Sequence, residues 1–75
     1  MDVEVSAPAV RVVVNGEPRS FPRSTTVAEA VERLGLAARK LAVERNGAIV
    51  PRSLHAATTI AEGDVLEIVV AVGGG

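Results

Sequence analysis

The chain has 75 residues, which is enough for one domain whose single core leaves a thin margin of stability. It contains no cysteine, so disulfides and thiolate metal sites are excluded. Its formal net charge of −1 comes from 8 basic and 9 acidic residues mixed along the chain. With one Phe as the only aromatic residue and no basic block, this composition argues against nucleic-acid binding, and no apolar run is long enough to cross a membrane.

The first predicted element after a loose leader at residues 1–8 is a β-hairpin. Alternating valines in Ala9–Val14 predict a strand. Asn15-Gly16 follows, and this dipeptide is the strongest short-range hairpin signal because both positions tolerate positive φ. Glu17–Pro22 is then the return strand, and its two prolines place it at an edge of the sheet.

A helix with both of its ends marked is predicted between Ser24 and Leu36. Thr26 and Glu29 have the spacing of a capping box, in which each side chain accepts the backbone N–H of the other residue. The apolar stripe follows helical spacing and consists of Val27, Ala30, Val31 and Leu34. Gly35 is suited to the left-handed position after the helix, and the apolar residue that follows it closes the cap.

The second half of the chain predicts three more strands. Leu41–Arg45 and Ala48–Val50 flank a second Asn-Gly turn. Residues 52–61 are expected to be irregular, with Leu54 and Ile60 filling the core. Glu-Gly-Asp at 62–64 has the composition of an ordinary turn, although its two acids also resemble a metal-binding pair. Val65–Val72 is the last and most apolar strand.

The element order is therefore β-β-α-β-β-β. It predicts an α+β domain of the β-grasp type over residues 9–72, with a mixed sheet of four to five strands and one helix packed on one face. The face under the helix is expected to hold Val10, Val12, Val14, Leu41, Val43, Leu66, Ile68 and Val70. The open face is expected to hold Arg11, Val13, Ala42, Glu44, Val65, Glu67, Val69 and Ala71.

The chain ends in three glycines at 73–75, directly after this apolar strand. Glycine cannot pack and loses the most conformational freedom when it is ordered. The tail is therefore either incidental or useful because it has no side chains. A tail without side chains can thread a narrow channel and adopt any φ and ψ that the channel requires.

Four segments resemble the sulfur carriers of thiamine biosynthesis, the ThiS type within the ubiquitin-like proteins. They are "VNGE" at 14–17, "TVAEAVERLGL" at 26–36, "LAVERNGAIVPR" at 41–52 and "EGDVLEIVVAVGGG" at 62–75. The likeness covers residues 9–75. The chain departs from the family pattern in its longer leader and in having a third terminal glycine. If that glycine is native, the reacting residue is Gly75; otherwise it is Gly74.

The resemblance implies a carrier that is not itself an enzyme and has no catalytic residue. An adenylating enzyme of the ThiF type would use ATP to activate the carboxylate of Gly75. Gly73 and Gly74 would be the narrow segment of the tail that enters the enzyme with it. A sulfur donor protein would supply sulfur, and a thiazole synthase of the ThiG type would receive it from the resulting thiocarboxylate. The carrier would bind no cofactor or metal and would act in the cytoplasm, since its acidic N-terminus lacks a signal-peptide pattern.

The predicted partner-binding residues lie on the open face and beside it. They are Val13, Val65, Glu67, Val69, Ala71 and Arg52. An exposed apolar patch mixed with charges suits a reversible interface. Arg52 has two interpretations of equal weight: it contacts a partner, or it bonds backbone carbonyls of the irregular segment. His55 and Lys40, each the only residue of its type, are expected to be solvated surface residues, with a conjugation role at Lys40 as the alternative.

Other functions remain open at this point. A carrier of the MoaD type for molybdopterin synthesis would use the same tail chemistry with another acceptor. A modifier attached to target lysines would share the activation step. A β-grasp binding module with an inert tail would tolerate loss of Gly74 and Gly75.

Overall fold

The computed structural model describes residues 8–72. The elements in this part are β1 (Ala9–Val14), β2 (Glu17–Pro22), α1 (Val27–Arg33), β3 (Leu41–Arg45), β4 (Ala48–Val50), a 3₁₀ helix (Arg52–Leu54) and β5 (Val65–Val70). Residues 1–7 of the predicted leader and the whole glycine tail lie outside the described residues. The predicted domain boundaries therefore stay a prediction.

The five strands form one mixed sheet in the order β2-β1-β5-β3-β4. The central strand β5 runs parallel to β1, with Val13 opposite Val65, and antiparallel to β3, with Val43 opposite Ile68. The two hairpins, β1–β2 and β3–β4, lie on either side of it. The predicted β-grasp order is confirmed, with five strands and one α-helix in the described residues.

The core lies between α1 and one face of the sheet. Its buried side chains are Val12, Val14, Phe21, Val27, Ala30, Val31, Val43, Ile60, Leu66 and Ile68. Val10, Leu34, Leu36 and Leu41 are partly buried and pack against this cluster. Because full burial of one such side chain contributes about 1.5–3 kcal/mol, this cluster supplies the main stabilising term of a chain that has no disulfide.

Both ends of α1 have the predicted caps. The Glu29 N–H donates to Thr26 Oγ1 at 3.1 Å, and the Thr26 N–H donates to Glu29 Oε1 at 3.0 Å. After the helix, Gly35 has φ of 78°, and the Leu36 N–H donates to the Val31 carbonyl at 3.0 Å. Local sequence therefore fixes both the start and the end of the helix.

Two predictions about the second half of the chain are wrong. The last strand ends at Val70 and not at Val72, which is 85% exposed. Leu54 is 48% exposed and does not fill the core, because it lies on the 3₁₀ helix that occupies the start of the segment predicted as irregular. Ile60 alone fills the core from this segment, as predicted, with 2% of its surface exposed.

Two asparagine side chains tie the hairpin turns to β5. Asn15 Nδ2 donates to the Ile68 carbonyl at 3.1 Å, and the Ile68 N–H donates to Asn15 Oδ1 at 2.8 Å. On the other side, the Val65 N–H donates to Asn46 Oδ1 at 2.9 Å. Both asparagines have positive φ, so the same residues that allow the turns also continue the hydrogen bonding of the sheet.

Asp64 is a buried carboxylate at the start of β5. Its oxygens accept hydrogen bonds from Arg45 Nε at 2.7 Å, Asn46 Nδ2 at 2.9 Å and the Ala61 N–H at 2.8 Å. Burial raises the pKa of Asp64, but the hydrogen bonds from Arg45, Asn46 and the Ala61 N–H outweigh it, so the pKa lies below its ordinary value. Asp64 thus holds the turn in place through these three hydrogen bonds.

The Asp64 contacts predict that stability depends on pH. Because the pKa is lower in the folded chain, the ionised group stabilises the fold above the unfolded-state value of 3.8, and this contribution is lost as the pH falls through the folded value. At pH 7, Asp64→Asn is expected to lower the free energy of unfolding by about 1–3 kcal/mol. The reason is that N–H donors that bond the carboxylate would then face the N–H₂ group of the asparagine, which cannot accept a hydrogen bond.

Urea unfolding from neutral to acid pH measures both effects. The gap in free energy of unfolding between the wild type and Asp64→Asn is expected to narrow on acidification. Ser53→Ala, at an exposed residue with no titratable group, is the control and keeps a constant gap. A constant gap for Asp64→Asn would contradict the role assigned to its charge.

Candidate functional site

The base of the glycine tail is held at one end of the sheet. Leu41 pairs with Val70, and the Ala71 N–H donates to the Lys40 carbonyl at 2.9 Å. Ala71 and Val72 are exposed beyond this bond. The predicted tail residues Gly73, Gly74 and Gly75 lie outside the described residues, and their roles stay predictions.

The predicted partner-binding residues of the open face are accessible. Val65 is 45% exposed and Val69 is 65% exposed, although both are in the central strand. Val13 is half-buried beside Val65, and Glu67 and Ala71 are exposed. Since α1 covers the other face, these side chains form a surface that nothing covers within residues 8–72.

Sequence reasoning missed Ile49 on this face. Its side chain is 62% exposed, and it pairs with Glu44 at the β4 edge of the sheet. The available signal was the alternation of a strand, in which adjacent residues such as Ile49 and Val50 point to opposite faces; the structure buries Val50. Ile49 extends the apolar part of the open face from β5 to the outer strand.

The centre of the open face carries two like charges. Glu44 and Glu67 are direct cross-strand partners, and neither forms an ion pair within residues 8–72. Opposed like charges weaken strand pairing. The two carboxylates make the centre of the open face negative, between Val65 and Val69. A protein that covers this face must place a cation opposite them or leave them hydrated.

Arg52 lies at the tail end of the sheet. It lines a cleft together with Val69 and Ala71, so the structure brings three of the predicted residues together. Within residues 8–72 its side chain donates no hydrogen bond to a backbone carbonyl, while its own carbonyl accepts from the His55 N–H at 3.1 Å. The backbone-clamp interpretation is therefore not seen within these residues, and the role of Arg52 as a partner contact stays a prediction.

His55 is less solvated than predicted. It is half-buried, and its Nε2 lies 3.0 Å from the Val50 carbonyl. A carbonyl oxygen only accepts, so Nε2 carries a hydrogen. The side chain thus ties the 3₁₀ helix to the end of β4. Lys40 is exposed, in agreement with the sequence.

Potential metal ligands are scattered across the part of the chain that the structure describes. Between residues 8 and 72, no group of three or more His, Asp or Glu side chains is placed to hold a metal ion. No helix in the same range is long and apolar enough to cross a membrane.

Comparison with known proteins identifies the family. The family model described as "ThiS family" matches residues 12–75. A crystal structure of the thiamine biosynthesis protein ThiS from Geobacter metallireducens is 35% identical, has a TM-score of 0.75, and aligns over 88% of this chain and 100% of that one. A solution structure of a thiamine biosynthesis protein from the same organism is 33% identical, with a TM-score of 0.73 and 88% of both chains covered.

Two curated relatives are larger proteins. The chain is 48% identical over 66 residues to a thiazole synthase of Paramagnetospirillum magneticum and 39% identical over 66 residues to one of Magnetococcus marinus. Each match covers 88% of this chain but 20% of the relative, so the chain spans about one fifth of their length. The match of the family model and the likeness to a solved ThiS structure over 88% of the chain agree: the chain belongs to the ThiS family.

Proposed function

We propose that this chain carries sulfur as a thiocarboxylate on its own terminal glycine, Gly75. The observation that carries the proposal is the extent of the family match, which continues through residue 75 and thus includes all three glycines. The exposed base of the tail at Ala71 and Val72 supports it, because a tail that serves another protein must leave the folded domain.

The proposed chemistry consists of two successive reactions at one carboxylate, adenylation and replacement of AMP by sulfur. An oxygen of the Gly75 carboxylate attacks the α-phosphorus of ATP in a ThiF-type activating enzyme, which forms an acyl-adenylate and releases pyrophosphate. Sulfide sulfur, supplied in the cell by a donor protein, then attacks the acyl carbon, and AMP leaves with the bonding electron pair. The chain is the substrate of both steps, binds no cofactor, and acts where ATP is available, in the cytoplasm.

A ThiG-type thiazole synthase is the proposed acceptor of the sulfur. Two relatives named thiazole synthase contain a region similar to 88% of this chain, which supports a close functional link between the two proteins. The names of the similar solved structures refer to thiamine, so a molybdopterin acceptor is the less supported alternative.

The open face is the proposed docking surface for the activating enzyme. Val65 and Val69 supply exposed apolar area in the strand that continues into the tail. Docking there would place the tail beside the entrance of the adenylating site. Glu44 and Glu67 add a requirement, since the partner must offer a cation or ordered water opposite them.

Intact mass spectrometry tests the proposal directly. The chain is incubated with a ThiF-type activating enzyme, ATP, magnesium and sulfide. We expect a mass gain equal to exchange of one oxygen for one sulfur, located in the C-terminal peptide. The variant that lacks Gly74 and Gly75 is expected to show no gain. An unchanged mass for the wild type with several competent activating enzymes would support a binding module with an inert tail instead.

A further inference from the structure

The tail end of the domain has a concentration of basic side chains. Arg39, Arg52 and His55 line a cleft beside α1 whose floor includes Val31 and Leu41. Lys40 and Arg52 line a second cleft, which shares Leu41 with the first. Arg39, Lys40 and Arg52 are three of the eight Lys and Arg residues of a chain with net charge −1, and no Asp or Glu within residues 8–72 lines either cleft.

The pairing of β3 with β4 brings these charges together. Arg39 and Lys40 directly precede β3, and Arg52 follows β4 after one residue. Since the two strands are antiparallel, the start of one and the end of the other meet at the same end of the sheet. We call Arg39, Lys40 and Arg52 the tail-base cluster.

The end of β5, which leads to the tail, lies beside this cluster. Val69 and Ala71 line the second cleft, and the Ala71 N–H is bonded to the Lys40 carbonyl at 2.9 Å. Lys40 and Arg52 line the same cleft, so two of the three positive charges lie next to the end of β5. Any protein that receives the tail must bring its own surface within contact distance of them.

We propose that the tail-base cluster is a docking site for carboxylate side chains at the rim of the tail-receiving site of the activating enzyme. This inference rests on the proposed function. A glycine tail offers a partner no side chains, so orientation of the tail must come from the folded domain next to it. Opposite charges at this point raise the association rate and fix the direction in which the tail enters.

The chemistry of the two clefts suits the carboxylates of a protein surface, because exposed cations and no Asp or Glu of residues 8–72 line them. Exposed guanidinium groups such as those of Arg39 and Arg52 bind carboxylates with two parallel hydrogen bonds. His55 is not part of the cluster, because its Nε2 is already bonded to the Val50 carbonyl.

The test compares two double variants with the same change in charge. Arg39→Glu with Arg52→Glu reverses the sign of two charges of the cluster. Arg19→Glu with Arg23→Glu is the matched control. Arg19 lies on β2 and Arg23 directly follows it, at the opposite edge of the sheet. Calorimetry gives the Kd of each chain for the activating enzyme, and thermal melts establish that each is folded. We expect the Kd to rise about tenfold or more for the cluster variant and to change by less than about twofold for the control.

Salt and substrate dependence separate docking from chemistry. Raising the salt from about 0.05 M to about 0.5 M is expected to remove most of the difference between the two double variants, because it screens the charges. At a saturating concentration of the carrier, the variant with Arg39→Glu and Arg52→Glu is expected to form the thiocarboxylate at the same rate as the wild type. Arg39→Gln with Arg52→Gln gives an intermediate Kd and keeps the test valid if charge reversal impairs folding.

Three outcomes would overturn the inference. If the wild type is thiocarboxylated and both double variants have the same Kd, the docking role is wrong while the proposed function stands. If inorganic pyrophosphate shifts the NMR signals of Arg39 and Arg52 while the Kd values remain equal, the clefts bind a small anion instead. If the wild type is never adenylated, the proposed function fails, and this inference fails with it.

Discussion

Replacement of Gly74 by valine is expected to abolish thiocarboxylate formation while the free energy of unfolding stays unchanged. A β-branched side chain restricts φ and ψ and widens the chain at the point that, under the proposed function, enters the adenylating site. The core described between residues 8 and 72 consists of side chains from Val12 to Ile68, so the substitution lies outside that range. Intact mass after incubation with the activating enzyme, ATP and sulfide measures the effect.

Two further variants show whether the loss comes from the tail. Gly74→Ala adds one methyl group and is expected to react more slowly than the wild type but faster than Gly74→Val. Ala48→Val adds bulk on the exposed β4, at the end of the sheet away from the tail, and is expected to react like the wild type. Normal turnover of Gly74→Val would contradict the proposal that the tail passes through a narrow channel.

Val69→Arg is expected to weaken binding to the activating enzyme at least tenfold, equivalent to about 1.4 kcal/mol. The reason is the position of Val69 on the open face, 65% exposed in the free domain and next to the base of the tail. Burial of an arginine in an interface that was formed around an apolar side chain adds a desolvation cost. Calorimetric titration measures the Kd.

The matched control for Val69→Arg is Ala9→Arg, which adds the same charge at the exposed start of β1. Both variants are expected to melt within a few degrees of the wild type, because neither position is buried. A large fall in melting temperature for Val69→Arg would mean that Val69 supports the fold. An unchanged Kd would mean that the enzyme docks elsewhere on the domain.

The sequence predicts those parts of the fold that depend on local interactions. The capping box of Thr26 and Glu29 involves residues three positions apart, and each Asn-Gly turn fixes its own hairpin. Alternation within β5 correctly separates Leu66 and Ile68 from Val65 and Val69. All of these features depend on short stretches of chain, which a single sequence displays fully.

The errors depend on contacts between distant residues. β5 ends at Val70 because its partner strand begins at Leu41, so the ladder has no further strand residue to pair with. Leu54 is exposed because the 3₁₀ helix turns it outward and Ile60 fills the core. The tail-base cluster was missed for the same reason: Arg39 and Arg52 are separated along the chain and meet only through the β3–β4 pairing.

The central position of β5 also determines how the domain carries mechanical load. A partner that draws the tail into a channel pulls along the axis of β5, which is bonded to β1 on one side and β3 on the other. Hydrogen bonds between strands run across that axis, so such a pull shears many of them at once and does not open them one by one. The bonds of Asn15 to Ile68 add to this resistance. The tail can therefore be put under tension without being peeled from the domain that carries it.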